Sequence, residues 1–141
     1  MDIGQLGYAA AISFAAVGSA LGTGIAGMGA IGAWKKCFAQ NKPAIFLLVA
    51  FAGAPLTQTI YGLILMNAIL ASPAEPVARM AAGLFGGLGI GFSAFAQGRA
   101  GASAADALGE TGKGFVNYLM VIGIVETVAL FVMVFLMTTL R

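Results

Sequence analysis

Gly123-Ile124-Val125-Glu126-Thr127-Val128-Ala129-Leu130 sets one carboxylate in the middle of the apolar stretch 115–140, with no other charged residue within ten positions on either side. A helix needs roughly 20 apolar residues to cross about 30 Å of hydrocarbon. An acid at the centre of such a helix costs ~2.5–3.5 kcal/mol on insertion scales. Glu126 is therefore expected to point into a protein interior and to meet a partner there.

Working outward, three more stretches are long and apolar enough to span: 7–33, 44–70 and 77–104. The rest of the composition agrees. Of 141 residues 60% are hydrophobic and 9% charged, and the mean hydropathy is +0.99. Soluble domains carry about 25% charged residues, and a chain this poor in charge cannot build a wetted exterior. The expectation is an all-α membrane protein of four transmembrane helices, arranged as two tandem antiparallel hairpins, 1–72 and 73–141. The connections are 34–43, 71–76 and a polar stretch holding Asp106, Glu110 and Lys113. The N-terminus lacks the basic region of a secretory signal, so the first apolar stretch should be retained as a helix.

Short connections make neighbouring helices antiparallel, which puts the first and third loops on one side and the middle loop with both termini on the other. Lys35, Lys36, Lys42, Arg99 and Lys113 fall on the first side, Arg79 and Arg141 on the second. The bias places both termini away from the cytoplasm.

The halves repeat. A shift of 69 lays Gly18, Gly22, Gly29 and Gly32 on Gly87, Gly91, Gly98 and Gly101, and a shift of 68 lays Leu56-Thr57-Gln58-Thr59-Ile60 on Ile124-Val125-Glu126-Thr127-Val128. A duplicated hairpin explains both. The first and third helices hold most of the 21 glycines, with Gly18-x3-Gly22 and Gly83-x3-Gly87-x3-Gly91 exposing bare backbone along a face. The second and fourth are rich in Leu, Ile, Val, Phe and Met. Small-residue helices suit a crowded inner circle and bulky ones a wider outer circle, which points to concentric layers in a ring; ordinary bundle packing is the alternative.

Several function classes drop out. A net charge of +2 without clustered basic residues does not suit nucleic acid. With no His and one cysteine, Cys37, the chain offers neither an internal disulfide nor a zinc or haem site of its own. Gly22-Thr23-Gly24-Ile25-Ala26-Gly27 matches the dinucleotide pattern by letter but lies inside a membrane segment, and Gly112-Lys113-Gly114 lacks the rest of a P-loop. No catalytic site is visible, and no organic cofactor is implied.

The polar residues at membrane depth are few. The counterpart of Glu126 in the first half is Gln58, so duplication leaves one ionisable group. Ala54, Thr57, Gln58 and Tyr61 have i, i+3, i+4, i+7 spacing and share one helix face. Pro55 has no N–H, so the Phe51 carbonyl loses its helical donor, and local distortion can turn the Ala54 carbonyl toward a ligand. Gln97 adds an amide oxygen from the third helix. One carboxylate among neutral oxygens balances a monovalent cation better than Ca²⁺. Na⁺ fits this surplus of oxygens, and H⁺ stays open. A small passive cation channel lined by the same groups is the other reading.

Pro55-x-Thr57-Gln58-x-x-Tyr61, Ala96-Gln97-Gly98-Arg99 and Val125-Glu126-Thr127 resemble the duplicated-hairpin proteolipid of V-type ATPases, over all four helices. The closest similarity is to the bacterial sodium-pumping branch, which keeps the carboxylate only in the fourth helix. That resemblance implies Na⁺ coordination by Glu126, Gln97, Gln58, Thr57 and the main-chain carbonyl of Ala54, with Tyr61 hydrogen-bonded to Glu126. It implies a homo-oligomeric rotor ring turning against a membrane stator whose arginine draws the ion off. A central stalk would meet the loop of Lys35, Lys36 and Lys42, and soluble subunits would hydrolyse or make ATP. The membrane would be the bacterial plasma membrane. Leu56 stands where relatives often have a glycine before Thr-Gln.

Overall fold

The structure is a computed structural model that describes residues 2–141. Helix α1 runs Gly4–Ala39, α2 Leu48–Gly53, a 3₁₀ turn Ala54–Leu56, α3 Thr57–Ala71, α4 Pro76–Thr111 and α5 Phe115–Thr139. There is no strand among the described residues. Taking α2 to α3 as one span, the four helical spans are each long and apolar enough to cross a membrane. The all-α membrane fold stands.

The boundaries need correction. The expected first loop, 34–43, is helical as far as Ala39, and Asp106 and Glu110 lie in α4 rather than in a third loop. At 36 residues each, α1 and α4 reach about 54 Å, far beyond the ~30 Å of hydrocarbon. Polar residues there mark where the chain leaves lipid, not where the helix ends. Nothing in Trp34-Lys35-Lys36-Cys37-Phe38-Ala39 breaks a helix, and Lys36 Nζ meets Asp106 Oδ1 at 2.5 Å to tie the two extensions together. Helix α1 ends at Ala39, and the chain turns off it at Asn41, whose φ of 54° takes the left-handed conformation while Lys42 N–H donates back to the Cys37 carbonyl.

The second span starts later than expected, at Leu48 rather than 44. Pro43 disfavours helix at the residue before it. The Ile45 carbonyl accepts from Trp34 Nε1 at 2.8 Å and also from Leu48 N–H, so it starts a 3₁₀-type turn. Gly112 and Gly114, at φ 67° and 91°, make the reversal between α4 and α5, a backbone path that side chains with a Cβ resist.

Helices α1 and α4 form the spine and run parallel at backbone contact. A Cβ on Gly98 would fall 2.1 Å from the Gly22 carbonyl oxygen, and one on Gly18 would fall 2.1 Å from that of Gly91. The principal contact is thus between the two halves of the chain. Helices α3 and α5 lie along this spine and touch each other, closing two apolar clusters. One gathers Ala15, Leu65, Ile90, Ala129 and Met133; the other gathers Ala30, Leu48, Phe51, Leu108 and Ile122. Between them, at Gln58, Gln97 and Glu126, lies a polar layer.

Gly98→Ala is expected to force α1 and α4 apart at a cost of about 1–3 kcal/mol, whereas Gly32→Ala, which meets nothing within 4 Å, should leave the packing of the chain unchanged. Thermal melting of the detergent-solubilised protein separates the two.

A second tie joins the ends of the halves outside the apolar layers: Arg79 Nη2 donates to Asp2 Oδ2 at 2.7 Å. Arg79, first, and the Gly4 N–H, second, hold the Asp2 carboxyl below its ordinary value of 3.8. A depressed folded value means the contribution is present at neutral pH and is lost as pH falls past 3.8 and through the folded value. Asp2→Asn should remove that part of the acid-side fall in melting temperature, measured from pH 7 downward.

Candidate functional site: a carboxylate held by neutral dipoles

The 3₁₀ turn carries out what Pro55 begins. Because Pro55 cannot donate to the Phe51 carbonyl, the helix tightens over Ala54–Leu56 before α3 resumes at Thr57. Pro55 is buried, and its Cβ would lie 2.9 Å from a Cβ on Gly22, so α1 fits against the kink only because Gly22 is bare. The Ala54 carbonyl is turned onto Thr57, accepting from its N–H and, at 2.9 Å, from its Oγ1.

From there a chain of side chains leads to the acid. Thr57 Oγ1 lies 3.1 Å from Gln58 Oε1. Gln58 Nε2 donates to Gln97 Oε1 at 2.8 Å, and both glutamines are fully buried. Gln97 Nε2 donates to Glu126 Oε2 at 3.2 Å and to the Ile122 carbonyl at 3.1 Å. Tyr61 Oη donates to Glu126 Oε1 at 2.6 Å from the other side. Ala54, Thr57, Gln58, Tyr61, Gln97 and Glu126, all singled out in the sequence, are brought to one place by separate elements of the fold.

One partner was not anticipated. Ser93 Oγ donates to the Val125 carbonyl at 2.9 Å, one helical turn from the Gln97 contact, so α4 grips the backbone of α5 at two successive points in the turn that leads into Glu126. The signal was available, since Ser93 precedes Gln97 by four residues and shares its face. Thr127, beside the acid in sequence, turns away and bonds the Ile124 carbonyl in its own helix.

The electrostatics follow from the donors around the acid. The two ion pairs among the described residues are Lys36–Asp106 and Asp2–Arg79. Neither reaches Glu126, which is half-buried and has only neutral partners. Neutral donors orient a carboxylate but do not cancel its charge, so a proton or a bound cation must do so at membrane depth. No group of three or more His, Cys, Asp or Glu side chains that could hold a metal ion occurs among the described residues. The donor set is one carboxylate plus hydroxyl, amide and carbonyl oxygens, which suits a hard monovalent ion.

Comparison with known families bears on this half of the site. Residues 80–138 match the family model of the ATP synthase C subunit. The match spans most of α4 and nearly all of α5, including Gln97 and Glu126, and leaves out the α3 residues Thr57, Gln58 and Tyr61. No curated protein matches the chain.

Tyr61→Phe deletes a hydrogen bond to a charged group while keeping the ring. With that tether gone the carboxyl is free to swing outward, and a hydrophobic carbodiimide should modify Glu126 several-fold faster than in the unaltered protein, read by mass spectrometry at fixed pH.

Proposed function

We propose that this chain is the rotor-ring proteolipid of a V-type ATPase and that it carries Na⁺ on Glu126. The observation that carries the reading is the lone carboxylate at mid-helix, held by neutral donors and linked by hydrogen bonds to further amide, hydroxyl and carbonyl oxygens, with Glu126 and Gln97 inside a segment that matches the C subunit of ATP synthase. On this reading Glu126, Gln97, Gln58, Thr57 and the Ala54 carbonyl take the ion, and Tyr61 holds the occupied carboxylate in place.

The mechanism follows from solvation. A bare carboxylate is costly in lipid, whereas an ion-neutralised one can pass through it. Several copies in a ring would carry loaded sites past lipid and surrender the ion at a stator arginine, coupling rotation to ATP hydrolysis or synthesis in soluble subunits. The chain contributes transport and no catalytic chemistry of its own. The spine of α1 and α4 would form the inner circle, with α3 and α5 outside.

The charge balance also fits. Arg99 lies in α4 only two residues from Gln97, so it is set aside as a topology signal. Lys35, Lys36, Lys42 and Lys113 still outnumber Arg79 and Arg141, favouring termini outside the cytoplasm of a bacterial plasma membrane. The central stalk would then meet the end that bears Lys35, Lys36 and Lys42.

The test is the rate at which a hydrophobic carbodiimide modifies Glu126 as NaCl replaces KCl at fixed pH and ionic strength. Saturable protection by Na⁺ is the expected result. Equal rates in the two salts would overturn the sodium assignment and make H⁺ the cargo. Ion leakage through the protein reconstituted alone would instead favour a passive channel.

A further inference from the structure

Two hydroxyls in the polar layer have no partner. Ser19 Oγ and Thr23 Oγ1, both on α1, are buried and make no hydrogen bond, not even to a carbonyl of their own helix. Ser19 is 2% exposed. A buried unpaired hydroxyl costs about 1–3 kcal/mol, and native structures usually satisfy such groups with protein or ordered water.

Their position follows from the packing register of α1 against the second span. A Cβ on Gly62 would lie 2.5 Å from Ala15 Cβ, and Gly22 faces Pro55 at 2.9 Å. A Cβ on Gly101 would lie 3.1 Å from Ala26 Cβ and 2.9 Å from the Phe51 carbonyl oxygen, which places Ala26 at the level of Phe51. The pairs step one for one in opposite directions along the antiparallel segments. The same register sets Ser19 opposite Gln58 and Thr23 opposite Ala54. Residues four apart on a helix have Cβ atoms about 5–6 Å apart, a gap that one water spans.

Gln58 supplies the third side. Its amide carries two N–H groups and uses one of them, on Gln97 Oε1. We infer that Ser19 Oγ, Thr23 Oγ1 and the free N–H of Gln58 bind one buried water molecule, which fixes the Gln58 amide from behind and thereby presents its oxygen to the cation. Three partners is the usual number for a buried water. Ser19 and Thr23 are then positioning residues, and α1 takes part in the site without touching the ion.

The water stands independently of the cargo; its effect on ion affinity rests on the sodium reading. A cryo-EM map of the purified assembly in KCl, at a resolution that shows waters, should contain a peak within about 3.2 Å of both hydroxyls. An empty gap there would overturn the proposal, and so would a peak that appears only in NaCl, which would assign an ion. The double variant Ser19→Ala with Thr23→Val should need about tenfold more Na⁺ to protect Glu126 from carbodiimide, with Thr23→Ser retaining protection. Hydroxyls that were simply unpaired would give unchanged protection and equal or higher thermal stability on removal, which would overturn the positioning role. If the unaltered protein shows no protection by Na⁺, the sodium reading alone fails, and the peak in KCl still decides the water.

Discussion

The Gly22 carbonyl oxygen and Cα lie 2.1 and 2.3 Å from where a Cβ on Gly98 would stand, and the rest of the molecule depends on that approach. Lipid supplies no hydrophobic drive between helices, so association must come from close packing and hydrogen bonds. Bare backbone on both sides lets α1 and α4 meet as a spine, and the same Gly22 leaves room for Pro55. Were the spine wider, the kinked span would no longer seat on α1. Gln58 would then fall short of Gln97, one turn removed from the kink.

The spine fixes depth as well as distance. Gln97 is a spine residue, while Gln58 and Glu126 arrive on helices that pack against it, so the polar layer forms where three elements reach one level. Apolar clusters close it above and below. In that setting the dipoles nearest the acid have fixed partners: Tyr61 and Gln97 aim donors at the carboxylate, and Ser93 and Gln97 hold the α5 carbonyls beside it. Oriented neutral groups leave one unit of charge, which a proton or a bound cation must cancel at that depth. A fixed Lys or Arg at that place would have made a static ion pair instead.

Helices α1 and α4 also outlast the bilayer. Each is about 54 Å long by its rise per residue, and Lys36 with Asp106 joins them beyond the apolar clusters. The extension stiffens the end of the molecule that carries most of its basic residues. It also explains why composition misplaced the loops: hydropathy reports the solvent around a helix, and helix continuity depends on backbone breakers, which first appear near Asn41, Pro43 and Gly112.

Chain order and residue type were enough to determine four apolar helices, the small-residue faces of α1 and α4, and the solitary acid at mid-helix, because burial cost and 3.6-residue periodicity are local properties of the chain. The face shared by Ala54, Thr57, Gln58 and Tyr61 was legible for the same reason. Which of those groups touches which was decided only by tertiary structure, since the polar ladder from Thr57 through Gln58 and Gln97 to Glu126 crosses from α3 to α4 to α5. The spacing of Ser93 to Gln97 put it on the right face, but its partner was not legible, because a serine reads the same whether it bonds its own helix or a neighbour's. Ser19 and Thr23 became notable only when the register of α1 against the kink set them opposite Gln58 and Ala54. Long-range register comes from how backbones nest at bare glycines, and no window of sequence contains both sides of that contact.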